Sequence, residues 1–179
     1  IRDYKMNNKI LVTGGAGFIG FHLVTRMIND DYDVIGLDII NDYYNIKLKY
    51  ARLNEHGIEA QAIKENLIIK SSLFNNYRFI KADIANHDFI VKFIIDQKFD
   101  YIINLAAQAG VRYSIDNPRA YTYSNIDGFL SILEGSRHGN VKHLVYASTS
   151  SVYGLNSKMP LSENHSTDHP MAIYAATKI

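Results

Sequence analysis

The side chains best suited to chemistry lie near the end of the chain, where Tyr174 precedes Lys178 by four residues. On a helix, residues with this spacing share one face. A tyrosine hydroxyl is a poor base at its ordinary pKa of about 10, and lowering that pKa to about 7 requires roughly 4 kcal/mol of phenolate stabilisation. A nearby ammonium group and a cationic cofactor could supply it together. Thr149, at the end of an apolar run, could hold a substrate hydroxyl in line, so the pattern predicts proton removal from an alcohol.

A glycine-rich turn near the start of the chain predicts a phosphate-binding site. The segment TGGAGFIG follows an apolar run directly and contains Gly14, Gly17 and Gly20. The first glycine permits a tight turn, the second lets the backbone approach a pyrophosphate, and the third lets the next helix pack close to the sheet. Such a pattern alone is weak evidence, but here a strand precedes it and a helix follows it. We therefore expect a dinucleotide with its phosphates at the amino end of that helix.

An acidic residue at the right distance strengthens this prediction. Asp38 ends the apolar run VIGLD, about twenty residues beyond the glycine turn, where a carboxylate can accept hydrogen bonds from the adenosine ribose hydroxyls. An isolated aspartate at a strand end is usually only a solvated residue, and it is the register with the turn that favours a binding role. Because a carboxylate repels a 2′-phosphate, NAD is the expected cofactor rather than NADP.

The same context strengthens the prediction for Tyr174, Lys178 and Thr149. Tyr-x-x-x-Lys is frequent by chance, and clusters of serine and threonine are usually turn formers. Downstream of a dinucleotide turn, and in this order, the catalytic interpretation is favoured.

Apolar runs of strand length alternate along the chain with segments of helical spacing. The predicted strands are Lys9–Thr13, Asp33–Asp38, Arg78–Lys81, Tyr101–Asn104 and His143–Ala147. The predicted helices are Phe18–Asn29, Tyr43–Asn54, His87–Asp96 and Arg119–Arg137, with another beginning near Ala172. The alternation implies parallel strands joined by helices on both faces. The predicted fold is α/β, a doubly wound parallel sheet of the Rossmann type.

The chain is expected to form one nucleotide-binding domain over residues 1–179, with Ile1–Lys5 as a possible extension. The stretch Glu55–Tyr77 breaks the alternation and could be an inserted helix and loop or a disordered excursion. Residues Gly154–Pro170 form a turn-rich loop before the last helix, in the position where α/β sheets place ligand contacts.

Composition excludes several classes of function. With 19 Lys+Arg and 18 Asp+Glu the formal net charge is +1, so no broad electrostatic field selects nucleic acid or a membrane surface. Cysteine is absent, which excludes disulfides, thiolate nucleophiles and cysteine-bound zinc and fits a reducing cytoplasm. No apolar run approaches the roughly 20 residues that a membrane helix needs. We expect a cytoplasmic protein with no metal site and with neither a nucleic acid nor a membrane as partner.

Several segments resemble the extended short-chain dehydrogenases/reductases of the NAD-dependent epimerase/dehydratase family. They are TGGAGFIG, STSSVYG, YAATK, NLAAQAGVRYS and LDIINDYYNIKLKYARL, and the resemblance runs over nearly the whole chain from Lys9. The segments AAQAGVRYS and NDYY resemble most closely the UDP-glucuronate 4-epimerases, including those of capsular polysaccharide pathways. Asn104 departs from the family, where histidine is frequent at this position. Such proteins continue into a smaller substrate domain, which this chain would largely lack.

The resemblance implies roles for particular positions. The residues implied to bind the cofactor are Gly14, Gly17, Phe18, Ile19 and Gly20 at the pyrophosphate, Asp38 at the ribose, Asp83 and Ile84 at the adenine, Leu105, Ala106 and Ala107 along its middle, and Asn125, Tyr174 and Lys178 towards the active centre. Tyr174 is the implied base, Lys178 its partner on the nicotinamide ribose, and Thr149 the second catalytic hydroxyl. A homodimer formed through helices, including the 119–137 segment, is also implied.

The residues after Thr149 bear on the type of reaction. Related 4,6-dehydratases carry an Asp-Glu pair there, because eliminating water needs an acid and a base. This chain has Ser150 and Ser151, which can donate hydrogen bonds to a substrate carboxylate, and Arg112 could add a positive charge. The expected activity is therefore 4-epimerisation of a UDP-sugar, most specifically UDP-glucuronate to UDP-galacturonate. The alternatives are a UDP-glucose/galactose 4-epimerase, a dehydratase or decarboxylase on the same scaffold, and a non-catalytic NAD-binding protein.

Overall fold

A computed structural model describes residues 8–155 and 158–179 of the chain; the possible extension at Ile1–Lys5 therefore lies outside the described residues. Its strands are β1 (Lys9–Thr13), β2 (Asp33–Asp38), β3 (Ile68–Lys70), β4 (Tyr77–Lys81), β5 (Tyr101–Asn104) and β6 (His143–Tyr146). They form one sheet in the order β3-β4-β2-β1-β5-β6. All neighbouring strands are parallel except β3, which runs antiparallel to β4. The predicted doubly wound α/β fold is confirmed.

The α-helices that connect and cover the strands in the described residues are α1 (Phe18–Asn29), α2 (Ile46–Glu55), α3 (His87–Gln97), α4 (Tyr113–Asp116), α5 (Pro118–Tyr121), α6 (Gly128–His138) and α7 (Ile173–Ala176). The second helix begins three residues later than predicted. Asn45 caps it by accepting a hydrogen bond from the Lys47 amide at 3.0 Å.

The predicted helix Arg119–Arg137 is not one regular α-helix. It starts at Pro118, a residue suited to the first helical position, and passes through a π-helical turn at Thr122–Asp127 before α6 begins. A π-helical turn holds one more residue than an α-turn and is frequent at functional sites. The sequence pattern predicted one continuous helix over this stretch and did not indicate the π-helical turn.

The Glu55–Tyr77 break is neither an inserted α-helix nor a disordered excursion. It contains a short 3-10 turn at Ala60–Ala62 and the edge strand β3. The turn after α2 depends on Gly57, whose φ is +71°, and a Cβ there would lie 2.7 Å from the Leu73 amide nitrogen. Three residues are too few to show strand periodicity, so β3 could be recognised only through its pairing with β4.

The core lies on both faces of the sheet, as the continuous apolar strands require. In β1, Leu11 faces one cluster, which includes Ile90, Ile94 and Ile132 of α3 and α6. Its neighbours Ile10 and Val12 face the other cluster, which includes Val24 and Ile28 of α1. Because five strands are parallel, their carboxyl ends meet at one edge of the sheet.

Candidate functional site

A cleft of about 450 Å³ opens at the carboxyl edge of the sheet, next to the ends of the neighbouring strands β1 and β5, and the helices α1 and α6 that follow these strands pack on opposite faces. Open α/β sheets bind ligands at this switch point in strand order. The lining includes eleven of the predicted cofactor residues: Gly14, Gly17, Phe18, Ile19, Gly20, Asp38, Asp83, Ile84, Leu105, Ala106 and Ala107.

The glycine turn is tight enough to require glycine. Gly14 has φ +69°, and a Cβ there would lie 3.0 Å from the Ala106 nitrogen and from the Leu105 carbonyl carbon. A Cβ on Gly20 would lie 2.1 Å from the Gly14 oxygen. Side chains at either position would therefore push the turn away from β5 or from α1.

The amino end of α1 suits a pyrophosphate. Gly17 is the capping residue without a side-chain cap, and the first turn contains no acidic residue. Backbone N–H groups at a helix start attract anions, and a glycine cap leaves them accessible. Together with the close approach of Gly14 and Gly20, this arrangement fits the diphosphate of a dinucleotide.

Asp38 is 5% exposed and already has three hydrogen-bond donors. Its Oδ2 accepts from the Ala16 amide at 3.2 Å, and its Oδ1 accepts from the Ile40 amide at 2.8 Å and from the Lys49 ammonium at 3.1 Å. Ile40 adopts φ +52°, an uncommon conformation for a β-branched residue. The backbone is thus strained where it holds the carboxylate.

Arg52 lies at the same end of the cleft. Its guanidinium donates to the Ala16 carbonyl at 3.2 Å and sits 5.8 Å from the centre of the Phe18 ring. Within the residues that the structure describes, no carboxylate pairs with it.

The predicted adenine positions are also brought to the cleft. Asp83 accepts hydrogen bonds from the Ala85 amide at 2.9 Å and from the Tyr123 hydroxyl at 3.1 Å. Ile84 is buried, and a Cβ on Gly128 of α6 would lie 2.7 Å from its side chain. Ile84 therefore has a packing role in addition to its place in the lining.

The corner after β5 is fixed by a buried hydroxyl. Thr13 donates to Asn104 Oδ1 at 2.6 Å, and the Ala106 amide donates to Thr13 Oγ1 at 3.1 Å. Asn104, the departure from the family, thus ties the end of β5 to the end of β1. This contact positions the segment that contains Leu105, Ala106 and Ala107.

Asn125 lies on the π-helical turn and is engaged by the protein itself. Its Oδ1 accepts from the Gln108 amide at 2.7 Å, and its Nδ2 donates to the Gln108 carbonyl and to Thr177 Oγ1, both at 3.0 Å. It lines a separate cavity of about 30 Å³ together with Lys178 rather than the large cleft. Its geometry is that of a bridge between the segment after β5 and the Tyr-Lys segment.

Tyr174 is partly buried on α7, and its ring packs edge-on against Tyr121. The helix predicted near Ala172 is only one turn long and ends at Ala176. Lys178 follows it, with its amide bonded to the Ala175 carbonyl at 3.0 Å. Burial lowers the pKa of the Lys178 ammonium below its ordinary 10.5.

In the described part of the chain, one hydrogen bond connects the Tyr-Lys segment to the segment after β6. Ser148 Oγ donates to the Lys178 carbonyl oxygen at 2.8 Å. Thr149, the next residue, accepts from the Ser151 amide at 3.3 Å and caps the 3-10 turn at Ser150–Tyr153. In the part of the chain that the structure describes, no side-chain hydrogen bond joins Thr149, Tyr174 and Lys178 directly.

The predicted substrate-binding residues lie in two different segments. Ser150 is exposed and Ser151 partly buried, both directly after Thr149. Arg112 is exposed just before α4, and its side chain has no hydrogen-bond or ion-pair partner within the described ranges.

Three further residues contribute contacts at the site and were not predicted from the sequence: Lys49, Tyr43 and Tyr121. Lys49 and Leu53 are four residues apart on α2 and both are buried, so a lysine on the apolar face of this helix was the available signal. The Tyr43 and Tyr121 hydroxyls both donate to the Ala109 carbonyl, at 2.9 and 2.8 Å. These contacts join distant segments, and no spacing rule predicts them.

Residues 10–179 match the model of the family described as "NAD dependent epimerase/dehydratase family". The chain belongs to this family. Membership identifies NAD as the cofactor that fits the cleft. Among the described residues, no group of three potential metal ligands occurs and no helix has the length and hydropathy to span a membrane.

Other members of the NAD-dependent epimerase/dehydratase family show what the chain resembles. Protein CapI of Staphylococcus aureus is 49% identical over 170 residues, which are 95% of this chain and 46% of CapI. UDP-glucuronate 4-epimerase 4 of Arabidopsis thaliana is 42% identical over 170 residues, which are 94% of this chain and 35% of that protein. The chain thus spans about half the length of these relatives or less.

Solved structures of epimerases share the fold. The UDP-N-acetylglucosamine 4-epimerase from Methanobrevibacter ruminantium M1, in complex with UDP-N-acetylmuramic acid, has a TM-score of 0.74 and 31% identity over 96% of this chain and 47% of its own. The UDP-glucose-4-epimerase from Stenotrophomonas maltophila, with bound NAD and formylated UDP-arabinopyranose, has a TM-score of 0.75 and 26% identity over 96% and 45%.

Proposed function

We propose that the complete protein is a nucleotide-sugar 4-epimerase that interconverts UDP-glucuronate and UDP-galacturonate. The proposal rests on the position of the Thr149-Ser150-Ser151 segment. This segment follows β6 and lies beside the Tyr-Lys segment, because the preceding Ser148 donates a hydrogen bond to the Lys178 carbonyl. The 42% identity to a UDP-glucuronate 4-epimerase supports the same substrate.

Tyr174 removes the proton from the hydroxyl on carbon 4 of the sugar, and Thr149 holds that hydroxyl in line. NAD, when bound, supplies reversible hydride transfer at the same carbon. Lys178 stabilises the Tyr174 phenolate by its positive charge, and burial strengthens this interaction because it excludes water. The 4-keto sugar then rotates and presents its other face for return of the hydride. Tyr174 returns the proton to the oxygen on carbon 4, so the epimerisation is complete without net oxidation.

Ser150 and Ser151 set the outcome at carbon 6. Their hydroxyls can donate hydrogen bonds to a carboxylate there, but they cannot readily protonate a leaving hydroxide or remove a carbon-bound proton at neutral pH. Hydrogen bonds that hold the carboxylate in place also oppose its loss as carbon dioxide. This chemistry favours epimerisation over dehydration and decarboxylation.

A UDP-glucose/galactose 4-epimerase is the second candidate, because the similar solved structures include UDP-glucose 4-epimerases at 26–30% identity. A UDP-hexose carries a neutral hydroxymethyl group at carbon 6. The two serines would then have no carboxylate to bind, and the exposed Arg112 would have no negative charge at carbon 6 to attract.

The test is incubation of the full-length protein with UDP-glucuronate and NAD, followed by proton NMR of the sugar. We expect a galacto-configured uronate that reaches equilibrium with the substrate. A 4-keto-6-deoxy sugar or a pentose would contradict the proposal, and faster turnover of UDP-glucose would favour the second candidate. The Tyr174→Phe variant serves as the control for contaminating epimerase.

We propose that the complete protein is a cytoplasmic homodimer. Its two subunits contact each other through a surface on the π-helical turn and α6. Ile126, Leu130 and Leu133 are 49%, 50% and 40% exposed, and their spacing of four and three residues places them on one helix face. Such a stripe can pack against its own copy about a two-fold axis. Leu130→Glu should convert the full-length protein to a monomer in sedimentation experiments, whereas Leu67→Glu, at an equally exposed site, should not.

A further inference from the structure

The hydrogen bonds already made by Asp38 leave it one site for the adenosine ribose. An ionised carboxylate offers about four lone-pair sites. Three are taken by Ala16, Ile40 and Lys49, and the two donors from Ile40 and Lys49 both reach Oδ1. Among the contacts made by residues 8–155 and 158–179, only Oδ2 keeps a free site, so Asp38 can accept from one ribose hydroxyl and not from two.

Lys49 has the complementary capacity. Its side chain is 9% exposed, and its ammonium donates to Asp38 Oδ1 at 3.1 Å and to Asn41 Oδ1 at 3.2 Å. An ammonium has three hydrogens, and no third acceptor contacts this one within residues 8–155 and 158–179. Lys49 also lines the large cleft next to Asp38. A buried ammonium with an unused hydrogen is costly unless a ligand supplies the acceptor.

We propose that Lys49 is a second ligand of the adenosine ribose, which donates to one hydroxyl oxygen while Asp38 accepts from the other hydroxyl. A vicinal diol fits this pair because each hydroxyl can act as either donor or acceptor. The pair is also neutral overall, so binding the uncharged diol leaves the buried charges balanced. This inference depends on the NAD of the family and not on which sugar the enzyme converts.

The test compares NAD with two analogues that lack the 2′- or the 3′-hydroxyl of the adenosine ribose. Dissociation constants are measured by titration calorimetry with the full-length wild type and with Lys49→Met. In the wild type, each analogue should bind at least about tenfold more weakly than NAD, because each loses a hydrogen bond to a charged group. In Lys49→Met, one analogue should bind within about twofold of NAD, while the other keeps its penalty through Asp38.

Arg52→Met is the matched control, since Arg52 is a cation at the same end of the cleft that donates its hydrogen bond to the Ala16 carbonyl. It should leave both analogue penalties unchanged. Circular dichroism will show whether Lys49→Met folds. If it does not, the same three dissociation constants are measured with Lys49→Asn, whose short amide cannot reach the ribose hydroxyl. Equal weakening of NAD and both analogues by the Lys49 variant would overturn the proposal, since Lys49 would then only support Asp38. These readouts are affinities, so failure of the epimerase proposal would not affect them.

Discussion

The ring of Tyr121 packs edge-on against the ring of Tyr174, with 6.0 Å between the ring centres and 69° between their planes. Tyr121 is fully buried, and burial raises the pKa of its hydroxyl to about 12, so the hydroxyl remains a donor at neutral pH. It lies 2.8 Å from the Ala109 carbonyl oxygen and 2.5 Å from the Gly110 carbonyl oxygen, both within donating distance. The proposed base is thus supported by a residue anchored to the segment after β5.

The Tyr121 and Tyr43 hydroxyls should contribute to stability in a non-additive way. Both donate to the Ala109 carbonyl, which also has a longer contact of 3.4 Å from Gln108 Nε2, so Tyr121→Phe or Tyr43→Phe alone leaves that oxygen one short hydrogen bond. We expect each single change to cost about 1 kcal/mol and the double change to cost more than the sum, because only then does this carbonyl lose both short hydrogen bonds and keep just the 3.4 Å contact from Gln108. Urea denaturation of the four proteins measures this coupling. Strictly additive losses would show that the two hydroxyls do not share the carbonyl.

Tyr174→Phe should abolish most turnover in the full-length protein while NAD binding changes by less than about twofold. The change removes one hydroxyl and keeps the ring that contacts Tyr121. General acid–base groups typically contribute 10²- to 10⁴-fold, so a loss of about this size is expected in kcat. Tyr101→Phe, at the opposite end of β5, should leave kcat unaffected. Near-normal turnover by Tyr174→Phe would place the base elsewhere.

NAD should bind at least about tenfold more tightly than NADP. The free Oδ2 site of Asp38 needs a hydroxyl donor, and a 2′-phosphate at neutral pH adds negative charge beside the carboxylate instead. Titration of both cofactors against the full-length protein measures the ratio. Asp38→Asn should reduce it, because the amide carries no charge. Equal affinities in the wild type would argue against the assignment of Asp38 to the ribose.

His56 should make the stability of the fold depend on pH. It is 3% exposed and its ring stacks on Phe21, and burial lowers its pKa from 6.5 to about 4. Its Nε2 lies 2.8 Å from Thr25 Oγ1, whose hydrogen is directed to the Phe21 carbonyl, so Nε2 carries the ring hydrogen. Protonation would then add a second hydrogen at Nδ1, which has no partner among the described residues.

Because the unfolded chain binds the proton first, stability is complete above about pH 6.5 and is lost as the pH falls towards 4. The shift corresponds to about 3 kcal/mol at most. Denaturation between pH 4 and pH 7 should show this slope in the wild type and a smaller slope in His56→Gln. His143→Gln, at an exposed histidine, should retain the wild-type slope. An unchanged slope in His56→Gln would assign the pH dependence to other groups.

The alternation of strands and helices and the position of the glycine turn could be predicted from the sequence, because both depend on local spacing. β1, β2, β5 and α1 have the predicted bounds, and Gly14 and Asp38 lie in one cleft as their register indicated. Parallel strand order then brings the strand ends to one edge, so the gross location of the site followed as well.

Tertiary packing determines which groups form hydrogen bonds and ion pairs with the predicted site residues. The Asp38–Lys49 pair depends on how α2 packs against the sheet, and the π-helical turn places Asn125 between Gln108 and Thr177. β3 exists only through its pairing with β4. Each of these features is a contact between segments that are distant or irregularly spaced in the chain. Burial and hydrogen bonding supply the free energy that stabilises them, and local periodicity carries no information about either.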